Sequence, residues 1–72
     1  MGRPPKTLDI VAVLSAPDSG AVEVGDVGTV VEELGAGAVE VEFLDASGQT
    51  RSVVPFAMSD LLVLNRGRMP IG

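Results

Sequence analysis

Seventy-two residues carrying a formal net charge of −5 make at most one small domain, and a chain of this size buries only about 60% of the surface its unfolded form exposes. With no cysteine and no histidine, it can form neither disulfide staples nor thiolate or imidazole metal sites, and it lacks the usual groups for a nucleophile–base pair. Between Thr7 and Leu64 ten acids face one base, Arg51, a balance that argues against nucleic acid and anionic membranes because like charges repel.

The other four bases, Arg3, Lys6, Arg66 and Arg68, lie in the two tails. Hydrophobic residues make up 46% of the chain and mean hydropathy is +0.39, yet Phe43 and Phe56 are the only aromatics. A core of valine, leucine and alanine is thin for so apolar a sequence, so part of the apolar surface is expected to face a partner. No apolar run approaches the roughly 18 residues of a membrane span, and Pro4-Pro5-Lys6 stands where a signal peptide would need an apolar stretch. The cytoplasm is the expected location.

Residues 1–7 read as a loose basic arm, since Pro4 and Pro5 block both helix and central strand. Asp9 to Ser15 is a continuous apolar run of strand length. With Ile10, Ala12 and Leu14 toward the core, Val11 and Val13 face outward, so the strand has no clean polar face and is either covered on both sides or at an interface. Ala16 to Gly25 reads as an irregular loop, with Pro17-Asp18-Ser19-Gly20 as a β-turn signature. Val27 to Leu34 is a second strand entered through Gly25-Asp26, where Gly25 suits a positive φ and Gly28 suggests a bulge or bend. Gly35-Ala36-Gly37 is a hairpin connection.

Ala38 to Leu44 gives the clearest alternation, with Val39, Val41 and Phe43 on one face and Glu40 and Glu42 on the other. Asp45-Ala46-Ser47-Gly48 is a tight turn, and Gln49 to Val54 the returning strand. Pairing Leu44 with Gln49 would set Glu42 opposite Arg51 and Val41 opposite Ser52. Pro55 to Asp60 then forms a single helical turn, and Leu61 to Leu64 a short closing strand. Residues 66–72 are a tail in which Met69-Pro70-Ile71 is apolar enough to dock in a groove.

Residues 8–65 thus make an all-β body of five short strands with one helical turn before the last. The order resembles a small SH3-like barrel; the rival is an open antiparallel sheet that closes only by dimerising. In Asp9-Ile10-Val11-Ala12-Val13-Leu14, Val24-Gly25-Asp26-Val27-Gly28-Thr29-Val30-Val31-Glu32 and Val39-Glu40-Val41-Glu42-Phe43 the chain resembles a family of very small, uncharacterised bacterial proteins. That resemblance covers about residues 8 to 64 and implies an accessory or antitoxin-like role beside another protein. The glycine pattern is also loosely similar to the KOW motif of ribosomal and transcription-elongation proteins, which implies nucleic-acid binding. Those proteins carry bases and stacking aromatics around the barrel, whereas this body has Arg51 alone and no tyrosine or tryptophan.

Chemistry-bearing groups are few. Glu40 and Glu42 share a face, but carboxylates at i and i+2 on a strand are the usual solvated pattern, and so small a body has little room for a cleft. Asp18, Glu23 and Asp26 surround the first loop without the spacing of a cation loop, and turn aspartates cap their own backbone. No catalytic, cofactor-binding or metal-binding residue is assigned. Phe56 is expected in the core; Met58 could lie in the core or on a binding surface. The expected function is a non-enzymatic interaction module that forms a homo-oligomer and serves a protein partner, with Val11, Val13, Val53 and Met58 as interface residues. A KOW-like nucleic-acid binder and a purely structural subunit are the alternatives.

Overall fold

The computed structural model describes residues 4–18 and 20–66; residues 1–3 of the basic arm, Ser19 of the first turn, and residues 67–72 with Met69-Pro70-Ile71 lie outside them. Among the described residues the fold is β1 (Ile10–Val13), β2 (Val27–Gly35), β3 (Ala38–Leu44), β4 (Thr50–Ala57), one 3₁₀ turn at Met58–Asp60, and β5 (Leu61–Asn65). All pairings are antiparallel, in the order β4-β3-β2-β1-β5, so that β4 and β5 are the two edges of one sheet. The expected all-β body with a lone helical turn before the last strand is what the chain forms.

One face of the sheet is buried. Val11, Val13, Val30, Val39, Val41 and Phe43 are almost wholly covered, and Val22, Val54, Phe56 and Leu61 complete a single cluster. Residues of both edges meet in that cluster, so the sheet is strongly curled. Bulges help. In β2 the register to β3 shifts between Val30 and Glu32 and again between Glu33 and Gly35, and each extra residue bends the strand.

Gly28 is not itself a bulge, as its place in the valine run suggested. It marks a close approach: a Cβ there would lie 2.7 Å from the Glu42 carbonyl oxygen, 2.7 Å from Val41 Cγ1 and 2.9 Å from Phe43 Cε1. Only a hydrogen side chain lets β2 pass this close to β3. Gly25, by contrast, does adopt the expected positive φ, +93°. At the β2–β3 hairpin Ala36 and Gly37 both have positive φ, the requirement of a two-residue turn that matches strand twist.

Three sequence expectations are corrected. The facing of β1 is reversed: Val11 and Val13 are core, while Ile10 and Ala12 are partly exposed and Leu14 is exposed. Asp9, on the same side as the two valines, is itself buried and met by Arg66, which fixes that side as the inner one. The β3–β4 register differs too, with Glu42 opposite Val53, Val41 opposite Val54, and Leu44 opposite Thr50. The Asp45–Gln49 loop is closed by its own hydrogen bonds, Asp45 N–H to the Gln49 carbonyl and Gly48 N–H to the Asp45 carbonyl. The Asp45 carboxylate accepts from the Ser47 hydroxyl and from the Ser47 and Gln49 amides, which holds its pKa below the ordinary 3.8. Arg51 becomes the extra residue of a bulge between Phe43 and Leu44. Its guanidinium donates to the Ala21 carbonyl, lies 3.5 Å from Asp26 and stands over the Phe43 ring, pinning the first loop to β4 in place of the expected pair with Glu42.

Finally, Pro55, Phe56 and Ala57 belong to β4 and not to the helical turn. As an edge strand β4 has one side with no ladder partner, where a proline's missing N–H costs nothing. That continuation drives Phe56 into the core, edge-on to Phe43 at 6.1 Å between ring centroids.

Replacing Gly28 with Ala should lower stability by about 1–3 kcal/mol, the range for overpacking against backbone. A urea midpoint equal to that of the parent protein would contradict the close-approach role.

Candidate interaction surface

The outward face of the sheet divides into two chemically different halves. Register places Ala12 beside Val27 on one side and beside Leu62 on the other, so one apolar row crosses β5, β1 and β2. Val27 and Leu62 are each half exposed, and Ile10 sits one position along on the same face. The adjoining half is acidic. Glu32 stands directly opposite Glu40, a like-charge pair that destabilises an antiparallel ladder, and Glu42 lies beside Thr29. Glu42 accepts from the Thr50 hydroxyl and Glu33 from the Thr7 amide and hydroxyl. These carboxylates are engaged by short polar groups, and the groove described below lies elsewhere.

Edge strand β5 bounds the apolar half. It contains no charged residue and no proline, and Leu62 and Leu64 are 50% and 52% exposed. Leu64 is the extra residue where the β1–β5 register shifts, which turns it away from the ladder. Beside this strand runs a groove of about 480 Å³ lined by Pro4, Pro5, Met58, Leu61, Leu62 and Arg66 among others. The proline pair reaches it because the chain is tied down just beyond: the Lys6 amide donates to the Asp9 carboxylate, the Asp9 amide to the Lys6 carbonyl, and the Leu8 amide to Val30. Leu8 holds φ at +77° in this tie, a conformation that costs a leucine on the order of 1 kcal/mol.

The same carboxylate anchors the other end of the chain. Asp9 lies 3.0 Å from Arg66 Nη1, the aspartate side chain only 5% exposed and the arginine 26%. One buried acid thus fixes the N-terminal tie, the end of β5 and, through the Asp9 carbonyl accepting from Val30, the middle of β2.

The four interface residues named from sequence do not come together. Val11 and Val13 are core and present no surface. Val53 is exposed, but Thr29 and Glu42 separate it from Ile10 along one register row. Met58 is half-buried, packs on the core and lines the groove. The residues that do form a surface, Ala12, Val27, Leu62 and Leu64, escaped notice because the facing of β1 hinges on a pair 57 positions apart. Val22, a core residue inside the first loop, escaped for a similar reason. Asp26, one of three loop acids, accepts from the Glu23 amide and faces Arg51.

A family model described as a domain of unknown function (DUF4926) matches residues 7–63. No curated protein and no solved structure matches the chain.

Replacing Arg66 with Met keeps the apolar stem but removes the guanidinium that lies 3.0 Å from the Asp9 carboxylate. Removing one partner of a buried pair is costly; because the arginine keeps contact with water, about 2 kcal/mol is expected. A denaturation midpoint unchanged from the parent would show that the pair does not hold the two ends.

Proposed function

The chain belongs to the DUF4926 family of domains of unknown function, and from that premise we propose that it is a non-enzymatic interaction module that associates with copies of itself and offers a surface to a protein partner. The observation that carries this is the apolar row Leu62–Ala12–Val27, which runs to an edge strand bearing two half-exposed leucines. In a domain this small, contiguous exposed apolar surface is the mark of an interaction site. The core also supports it: among the described residues ten hydrophobic side chains, eight of them aliphatic, make up the core cluster, a thin core of the kind that association reinforces.

The strand order, a β2–β3–β4 meander flanked by β1 and β5 with a 3₁₀ turn entering the last strand, supports an SH3-like barrel as the architecture of the module. The acidic half of the outer face favours a protein partner over nucleic acid. Among the described residues no helix is long and apolar enough to cross a membrane, and a cytoplasmic setting is part of the proposal.

Light scattering over a concentration series tests the self-association. The mass should exceed the 7.4 kDa of one chain and fall toward it only on dilution. A mass of one chain at every concentration contradicts the proposal.

A further inference from the structure

The two edges of the sheet are protected very differently. An edge strand exposes unpaired backbone groups and is ordinarily blunted by charge, proline or bulges, or else covered by another segment. β4 is blunted: Arg51 occupies its bulge and Pro55 interrupts its donors. β5 has the bulge at Leu64 but neither charge nor proline, and the groove of about 480 Å³ runs beside it. The walls of that groove are mostly apolar, with Pro4, Pro5, Met58, Leu61 and Leu62 among them, and its volume falls within the roughly 300–1,000 Å³ of clefts that take a ligand. An apolar groove along an unblunted edge suits a short apolar segment, and the chain carries one within reach.

Arg66 is part of the groove wall and is also the last of the described residues. Its contact with the buried Asp9 carboxylate fixes it to the body, so the chain departs for residues 67–72 from the rim of the groove. The sequence onward is Gly67-Arg68-Met69-Pro70-Ile71-Gly72. Three steps of chain lead from Arg66 to Met69 and span at most about 11 Å, more than the roughly 4.8 Å between neighbouring strands. Gly67 has the backbone freedom that a tight reversal at this point requires. Pro70 has no N–H with which to extend a ladder, and it restricts Met69 to extended conformations, which lowers the entropy lost on docking.

We propose that Met69-Pro70-Ile71 of the same chain lies in this groove and covers the β5 edge. The triplet brings two large apolar side chains to walls already built by Pro4, Pro5, Met58 and Leu61, and methionine adapts readily to an irregular apolar surface. A segment tethered by two residues has an effective concentration on the order of millimolar, so in dilute protein the chain's own tail occupies the groove ahead of a second copy. The covered edge is distinct from the self-association proposed above, because Ala12 and Val27 on the outward face stay open. Any partner segment that pairs with β5 must first displace the tail, which makes the tail a built-in competitor for that edge.

The chain has no cysteine, so a nitroxide attached at Gly72→Cys, beside the triplet but outside it, reports where the tail lies. In the labelled protein the amide signals of Met58 and Leu61–Val63 should be lost and those of Thr50–Val53, on the opposite edge strand, retained. Tethering alone also brings the label near the groove. The same label is therefore placed on a chain that carries Met69→Ser and Ile71→Ser as well, where the lost signals should return. Equal loss with and without the two serines would mean that the tether and not docking holds the label there, and overturns the proposal. Retention of the Met58 and Leu61–Val63 signals in the singly substituted protein overturns it too. Mixing isotope-enriched, unlabelled chains with nitroxide-labelled, unenriched ones separates the two occupants. Signals unaffected in the enriched chains support docking within the chain, whereas loss as strong as in the labelled protein puts the tail in a second copy's groove and overturns it.

Discussion

The buried contact between Asp9 and Arg66, 57 positions apart in sequence, ties the start of β1 to the end of β5. A carboxylate cannot be buried without partners, and here they come from the Lys6 amide and the guanidinium at the end of β5. Because Asp9 points inward, alternation sends Val11 and Val13 inward as well, and Ile10, Ala12 and Leu14 away from the core. Residue facing on β1 then dictates what its neighbours present: Val27 and Leu62, registered on Ala12, become the outward apolar row. The outward apolar row is therefore a consequence of where one acid is satisfied.

The remaining architecture serves the same end with few large residues. Phe43 and Phe56 meet edge-on, and the valines of β1, β2 and β3 fill the space around them. Gly28 lets the second and third strands approach closely enough for that filling. Arg51 spans from β4 to the first loop and covers the Phe43 ring, a role in which its stem and its charge both contribute. What the small core does not use is the outer face and the β5 edge, and association would add burial where the single chain is thinnest.

Much of the fold was legible in the sequence because local chemistry agreed with global need. The alternation of β3 marked its buried side without ambiguity, the Gly-Ala-Gly hairpin lies where the glycines stand, and Phe56 is core because the chain has almost nothing else of its size. Where local pattern is silent, distant pairs decide. Ile10 to Leu14 is apolar on both faces, so no periodicity could orient it, and its orientation follows from an arginine at the far end of the chain. The β3–β4 register depends on whether a loop closes on its own aspartate, a choice that turn composition leaves open. Pro55 looked like a strand breaker and is instead tolerated because β4 is an edge. The candidate surface follows the same logic: Val11 and Val13 are core because Asp9 is, and Leu62 and Leu64, a pair of leucines in a closing strand, gain exposure only because that strand is an edge.

Amide hydrogen exchange, followed residue by residue in the Arg66→Met protein, tests the central claim that the Asp9–Arg66 contact fixes the facing of β1. Amides sealed in a ladder are protected and those set free exchange quickly. The account predicts that protection falls within Ile10–Val13 and Leu61–Asn65 while Thr50–Ala57 stays unchanged. Protection of β1 and β5 equal to that of the parent protein would contradict it.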